Sequence, residues 1–222
     1  MDIFLFVLGY FIQLSASALL FHRISTVRSI YGLSVDTQIC FLASSVSRLV
    51  WTMNTRIYEA NSIFVLLASL EILLSVVAAV GLVYNFMKLK HTTTTAVPIY
   101  LTYPLIVPLS LFLGFVVNPS DWFSFNSQTL VAFTMYVEAI ALVPQLWLIR
   151  KMDDVEALTS HYIGLLVIAR AVRMIFWIHL FLDGDEFLCL FLADVFHTAL
   201  SADYLYLWIK KLRHGGRLVY TL

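Results

Sequence analysis

Residues 66–83 read LLASLEILLSVVAAVGLV, eighteen positions with a single charge, Glu71. A helix needs about 20 residues, at about 1.5 Å of rise each, to cross the hydrocarbon core of a bilayer, so this stretch and its apolar flanks read as a membrane span. Lys88 and Lys90 close the run. Outward from it the same pattern recurs, giving seven windows at 3–21, 36–55, 62–86, 96–117, 127–149, 159–182 and 186–209. Asn118-Pro119-Ser120-Asp121 and Asp183-Gly184-Asp185 have the composition of turns and separate the later windows. The threonine run Thr92–Thr95 is read as a short connector.

The charges give these windows a direction. Of fourteen Lys and Arg residues, ten fall on alternate loops: Arg23 and Arg28, Lys88 and Lys90, Arg150 and Lys151, then Lys210, Lys211, Arg213 and Arg217. The intervening loops hold Arg56 alone among acids such as Glu59, Asp121, Asp183, Asp185 and Glu186. Basic residues near a hydrophobic segment resist translocation, so the first set of loops is expected on the cytoplasmic side. The N-terminus is then lumenal or exoplasmic and the C-terminus cytoplasmic.

Composition agrees. The 222 residues are 61% hydrophobic and 13% charged, whereas a soluble domain carries about 25% charged residues. The expected fold class is an all-α membrane protein forming one domain over residues 1–222. The seven spans divide as two three-helix repeats plus a linking helix, and because three is odd the repeats run in the same orientation. No basic region precedes Ile3 and no small-residue cleavage site follows, so the first window reads as a retained span. Cys40 and Cys189 lie in apolar runs and read as core residues, not a disulfide. The C-terminal residues 219–222 match no lipidation or soluble retention signal. Pro144 lacks a backbone N–H and should kink the fifth window.

Arg48, Glu71, Glu138, Arg170, Arg173, His179, Asp194, His197 and Asp203 all fall in or near apolar windows. An unpaired charge there costs about 2.5–3.5 kcal/mol, so these groups must pair or face water. Glu138 and Arg170 are suited to a buried ion pair, with a structural or a ligand role. The second window is the most polar (Thr37, Gln38, Ser44, Ser45, Ser47, Arg48) and is expected to face the interior. Arg48 among these hydroxyls suits a carboxylate or phosphate from outside the chain; the alternative is an internal pairing with Glu71 or Asp203. Arg173 shares a face with Arg170 and either contacts ligand or snorkels. Asp194 and His197, three apart, can hydrogen-bond and form a proton switch, although an interhelical contact is the plainer reading. Trp51, Trp122, Trp147, Trp177 and Trp208 mostly suit an interfacial aromatic belt. No phosphate loop, HExxH or GxSxG is present, so no catalysis, metal or cofactor is expected, and no nucleic acid partner either.

Several stretches together resemble the KDEL receptors, the ER lumen protein-retaining receptors. They are Arg28-Ser29-Ile30-Tyr31-Gly32-Leu33-Ser34 with Gln38 and Arg48; residues 136–146, which include Glu138, Pro144, Gln145 and Leu146; Glu156-Ala157-Leu158-Thr159-Ser160-His161-Tyr162 with Arg170 and Trp177; and Ala202-Asp203-Tyr204-Leu205-Tyr206-Leu207 with a lysine-bearing tail. The resemblance runs nearly end to end. It implies a seven-helix frame like that of the SWEET and PQ-loop transporters, and a receptor that binds a C-terminal Lys-Asp-Glu-Leu-like tetrapeptide in the mildly acidic Golgi and releases it in the ER. Arg48 would then hold the terminal carboxylate, with Glu138 and Arg170 beside the pocket, supported by Trp177 and Asp203. Lys210 and Lys211 would face the vesicle coat machinery, and the bilayer would surround the helices.

The chain also departs from the family pattern. Leu5 stands in place of a first-span arginine and Gln13 in place of the pH-sensitive histidine. Leu49, Val50 and Trp51 follow Arg48 where the family has an acid-bearing block, and Gln128 replaces an acid. Ala169 and Arg173 replace tyrosines, and Leu180 an arginine. A different retention signal follows, with His197 or His179 as the substitute proton sensor. The alternatives are a small-solute transporter on the same frame, or a trafficking paralogue that binds no cargo.

Overall fold

A computed structural model describes residues 2–54, 63–92, 97–117, 126–151 and 157–182, together with 191, 192, 195, 198, 199 and 206. Seven helices are traced: α1 (Asp2–Val27), α2 (Val35–Asn54), α3 (Ile63–Lys88), α4 (Tyr103–Val116), α5 (Ser127–Ala141), α6 (Val143–Arg150) and α7 (Ala157–Leu182), with no strand among the described residues. Two short 3-10 turns, Lys90–Thr92 and Ile99–Leu101, stand between α3 and α4.

The end of each helix has a local cause. At the end of α1, Arg28 takes a left-handed φ of 52° while its N–H still reaches the carbonyl of Ile24 at 2.9 Å. The chain then reverses in a turn closed by Leu33 N–H donating to Ile30 O at 3.0 Å. Its third position is Gly32 at φ 73°, a conformation that glycine adopts without cost. Asn126 starts α5 through a reciprocal box: its side chain accepts from Thr129 N–H, and its own N–H donates to the Thr129 hydroxyl, each at 3.1 Å. The break between α5 and α6 falls at Leu142, two residues before Pro144. Pro144 has no N–H for the carbonyl of Ile140, which accepts from Leu142 N–H instead.

Among the described residues, four stretches are long and apolar enough to cross a membrane: Phe4–Val27, Val65–Lys88, Ser127–Arg150 (α5 and α6 taken together) and His161–His179. α4 is equally apolar but shorter, at 14 residues. The exposed surface of α3 is a continuous apolar face, with Leu66, Leu70, Leu73, Val77, Val80 and Tyr84 all outward. Water would not tolerate a patch of that length, whereas lipid tails are its natural solvent.

α1 packs mainly against α7 and then α3, while α2 packs against α5 and α3, and α4 leans on α5. The largest buried cluster joins Leu20 and Ile24 of α1, Leu82 and Phe86 of α3, Leu142 and Ile149 at the α5–α6 break and beyond, and Tyr162 and Leu166 of α7. Cys40, buried and with a free thiol, packs with Ile106, Phe133 and Val137. The approach of α1 to α7 depends on Gly9. A Cβ there would lie 2.5 Å from Cγ of Arg173, closer than real Cβ contacts come, and a tight 3.0 Å from the Ala169 carbonyl oxygen. Gly9→Val is therefore expected to destabilise the α1–α7 contact by about 1–3 kcal/mol, the usual cost of overpacking. Thermal unfolding of the purified variant measures it, and an unchanged melting temperature would mean the two helices part freely.

Candidate functional site

The buried polar residues of α2 fall in groups at 37–38, 44–45, 47–48 and 52, on one side of the helix. Thr37, Ser44, Ser45, Ser47, Arg48 and Thr52 are buried, while Val46, Val50 and Met53 point outward. A helix in lipid should be inverted in this way, with its polar face inside. That face meets the acid of α5. Glu138, 1% exposed, accepts from Ser44 Oγ at 2.5 Å and from Arg173 Nη1 at 2.8 Å, and its Oε2 also pairs with Arg170 Nη2 at 2.8 Å. Arg170 and Arg173 stand one turn apart on α7, so one carboxylate serves both.

A second ion pair lies on the α3 side. Arg48 Nη2 donates to Glu71 Oε1 at 3.0 Å, and Ser75, one turn further along α3, also donates to Glu71. Tyr10 of α1 joins the two pairs. Its ring carries the Arg48 guanidinium 3.7 Å from the ring centroid and that of Arg173 at 4.3 Å. An aromatic face attracts cations, so one ring contacts both guanidiniums. Residues of α1, α2, α3, α5 and α7 thus form one continuous buried network. Arg48 has capacity left over: its Nε and Nη1 are buried and make no hydrogen bond among the described residues. Such donors are costly to leave unmet and mark a place where an acceptor fits.

Several expectations change at this point. Arg173 does not snorkel; it is fully buried and bound to Glu138. Arg48 pairs internally with Glu71, the plainer of its two readings, yet keeps two donors open. Trp177 is no interfacial anchor: it is 6% exposed, packed with Ala132 and Met135, its ring 5.1 Å from that of Phe176. His179 is half-buried on α7, and no hydrogen bond or ion pair among the described residues joins it to the network. Asp194, His197, Asp203, Lys210 and Lys211 lie outside the described residues. Tyr10 and Ser44 emerge as members of the network; Ser44 precedes Arg48 by one turn of α2, whereas Tyr10 sits in an apolar run that gives no hint of its partners.

The motif residues Gln145, Gln38 and Tyr162 are structural pins. Gln145, fully buried, accepts from Ser34 N–H and donates to Gly32 O, both at 2.8 Å. Gln38 donates to the Tyr162 hydroxyl at 2.7 Å. Arg23, also buried, reaches the carbonyls of Ser29 and Tyr31 at 3.1 and 3.4 Å. Together they fix the turn after α1 against α6 and α7, which explains the polar side chains at one end of the helices.

Comparison with known proteins gives a consistent result. Residues 29–180 match the family model described as ER lumen protein retaining receptor. The chain is 30% identical over 219 residues to the ER lumen protein-retaining receptor of Drosophila melanogaster, covering 98% of each. It is 32% identical over 209 residues to ER lumen protein-retaining receptor 2 of Bos taurus, and equally to that of Gallus gallus, covering 93% of each chain in both cases.

Proposed function

The chain belongs to the ER lumen protein retaining receptor family, and on that premise we propose that it is a Golgi-to-ER retrieval receptor that binds the C-terminal tetrapeptide of soluble ER-resident proteins. The observation that carries this reading is Arg48: a buried guanidinium on a hydroxyl-lined helix face, with Nε and Nη1 unpartnered among the described residues, fits the terminal carboxylate common to all such signals. Glu138 and Arg170 flank that position and fix its shape, Arg173 narrows it, and Trp177 and Asp203 support it. His179 or His197 supplies the pH response in place of Gln13.

In this reading the chain has seven spans with a lumenal N-terminus, arranged as two repeats about a linking helix. Packing favours the repeat: exchanging the two triplets maps the α1–α7 contact onto the contact of α5 with α2. The bond from Gln38 to Tyr162 joins residues near the starts of the two exchanged helices. The protein then resides in ER, Golgi and transport-vesicle membranes, with Lys210 and Lys211 offered to coat machinery on the cytoplasmic side.

Binding of a C-terminal tetrapeptide library to the purified protein, at about pH 5.5 and about pH 7.4 to bracket histidine titration, tests the reading. Binding favoured at the lower pH is expected. Absence of binding at both values by folded protein would overturn it. The helix break at Leu142 favours a second reading, a small-solute transporter; flux into proteoliposomes separates the two, since a receptor shows none. No binding and no flux would leave a trafficking paralogue without cargo.

A further inference from the structure

Arg48 pairs with Glu71, whereas Arg170 and Arg173 share Glu138. A guanidinium offers five N–H groups along its edges, and its faces bind aromatic rings. Here one face is taken by the Tyr10 ring at 3.7 Å, and Nη2 is taken by Glu71 at 3.0 Å. Nε and Nη1 have no partner among the described residues, on a side chain 2% exposed. Any carboxylate arriving there shares a single positive charge with Glu71, inside a region of low dielectric where like charges repel strongly.

We propose that Glu71 is an internal anion that limits the affinity of Arg48 for an incoming carboxylate, and so determines which ligands the site accepts. The inference rests on the proposed function only in taking a carboxylate as the ligand. Glu71 is held in this role by α3 itself, because Ser75 donates to it from the next turn. α2 presents Arg48 to it, and α1 presents Tyr10, whose ring lies against Arg48 and also against Arg173, the partner of Glu138. The site therefore discriminates against ligands that bring several negative charges, since Glu71 already neutralises part of Arg48. It favours a single terminal carboxylate on an otherwise uncharged segment. That preference also agrees with the absence of the acid and arginine partners at Leu5, Gln128 and Leu180, positions that carry no charge in this chain.

The test uses a probe independent of peptide recognition. Full-length wild type, Glu71→Gln and Arg48→Ala are titrated with sodium propionate at constant ionic strength, with propionamide as the neutral control, and the melting temperature is followed as the measure of binding. Gln keeps an oxygen to accept from Nη2 but removes the charge. Propionate is expected to bind Glu71→Gln about tenfold more tightly than wild type, and Arg48→Ala not at all, with propionamide inert throughout. Equal or weaker propionate binding in Glu71→Gln overturns the proposal, because a purely structural glutamate would give that result. Should Glu71→Gln fail to fold, Glu71→Ala takes its place: propionate is expected to raise its melting temperature by filling the vacated position, and no rise overturns the proposal. Tetrapeptides that fail to bind while propionate behaves as expected would sink the retrieval reading and leave this one standing.

Discussion

Arg48→Ala is expected to abolish tetrapeptide binding, lowering affinity by at least about a hundredfold, the usual result of removing one partner from a desolvated, hydrogen-bonded charge pair. The control for a folding defect is Arg48→Lys. Alanine leaves Glu71 buried with Ser75 as its one remaining donor among the described residues, which itself destabilises the protein. Lysine keeps a positive charge for Glu71 but replaces a planar fork with a point charge, so it cannot grip two carboxylate oxygens in parallel. Arg48→Lys should therefore melt near the wild-type temperature and still bind about tenfold more weakly. Isothermal titration with the best peptide of the library, alongside thermal unfolding, separates the two effects. Wild-type affinity in a folded Arg48→Ala protein would remove Arg48 from the ligand site.

How far the sequence alone discloses this arrangement depends on the kind of signal. The break at Leu142 is legible because Pro144 cannot donate to Ile140, a consequence of covalent structure that no packing reverses. The pairing of Glu138 with Arg170 is legible because two opposite charges in apolar windows have few other ways to be tolerated. The inward face of α2 follows from its being the most polar of the windows, with hydroxyls gathered around Arg48. Tyr10 is not legible: a tyrosine in an apolar run is as well suited to a lipid interface, and its contact with both Arg48 and Arg173 depends on how α1 packs against its neighbours. Gly9, which sets that approach, carries no side chain by which sequence could announce it. Nor does sequence decide between Glu71 and Asp203 for Arg48, since helix neighbours come from tertiary packing. Gln145, conversely, stands out as part of a motif and proves to serve the turn at residues 32–34. A motif identifies a family without stating which of its members touch ligand.

Glu138→Ala carries the largest expected cost in stability, about 3–5 kcal/mol. Three groups converge on that carboxylate: the Ser44 hydroxyl from α2 and two guanidiniums from α7. Its loss leaves Arg170 and Arg173 buried side by side without the acid between them, and two like charges one turn apart then repel in a medium that screens them poorly. Against the 5–15 kcal/mol typical of a folded domain, this is a large fraction. Glu138→Gln should be milder, since its amide oxygen still accepts one bond, although the charge is gone. A double variant distinguishes electrostatic cost from mere loss of packing. Adding Arg173→Met to Glu138→Gln removes the surplus cation and fills its volume with an apolar chain, an exchange that is often neutral when a buried pair is replaced whole. The double variant is then expected to melt higher than Glu138→Gln alone, a coupling that a thermodynamic cycle reads directly. Additive losses in that cycle would mean that Arg173 draws its stability from Tyr10 and its other surroundings, and that Glu138 holds α7 through Arg170 alone.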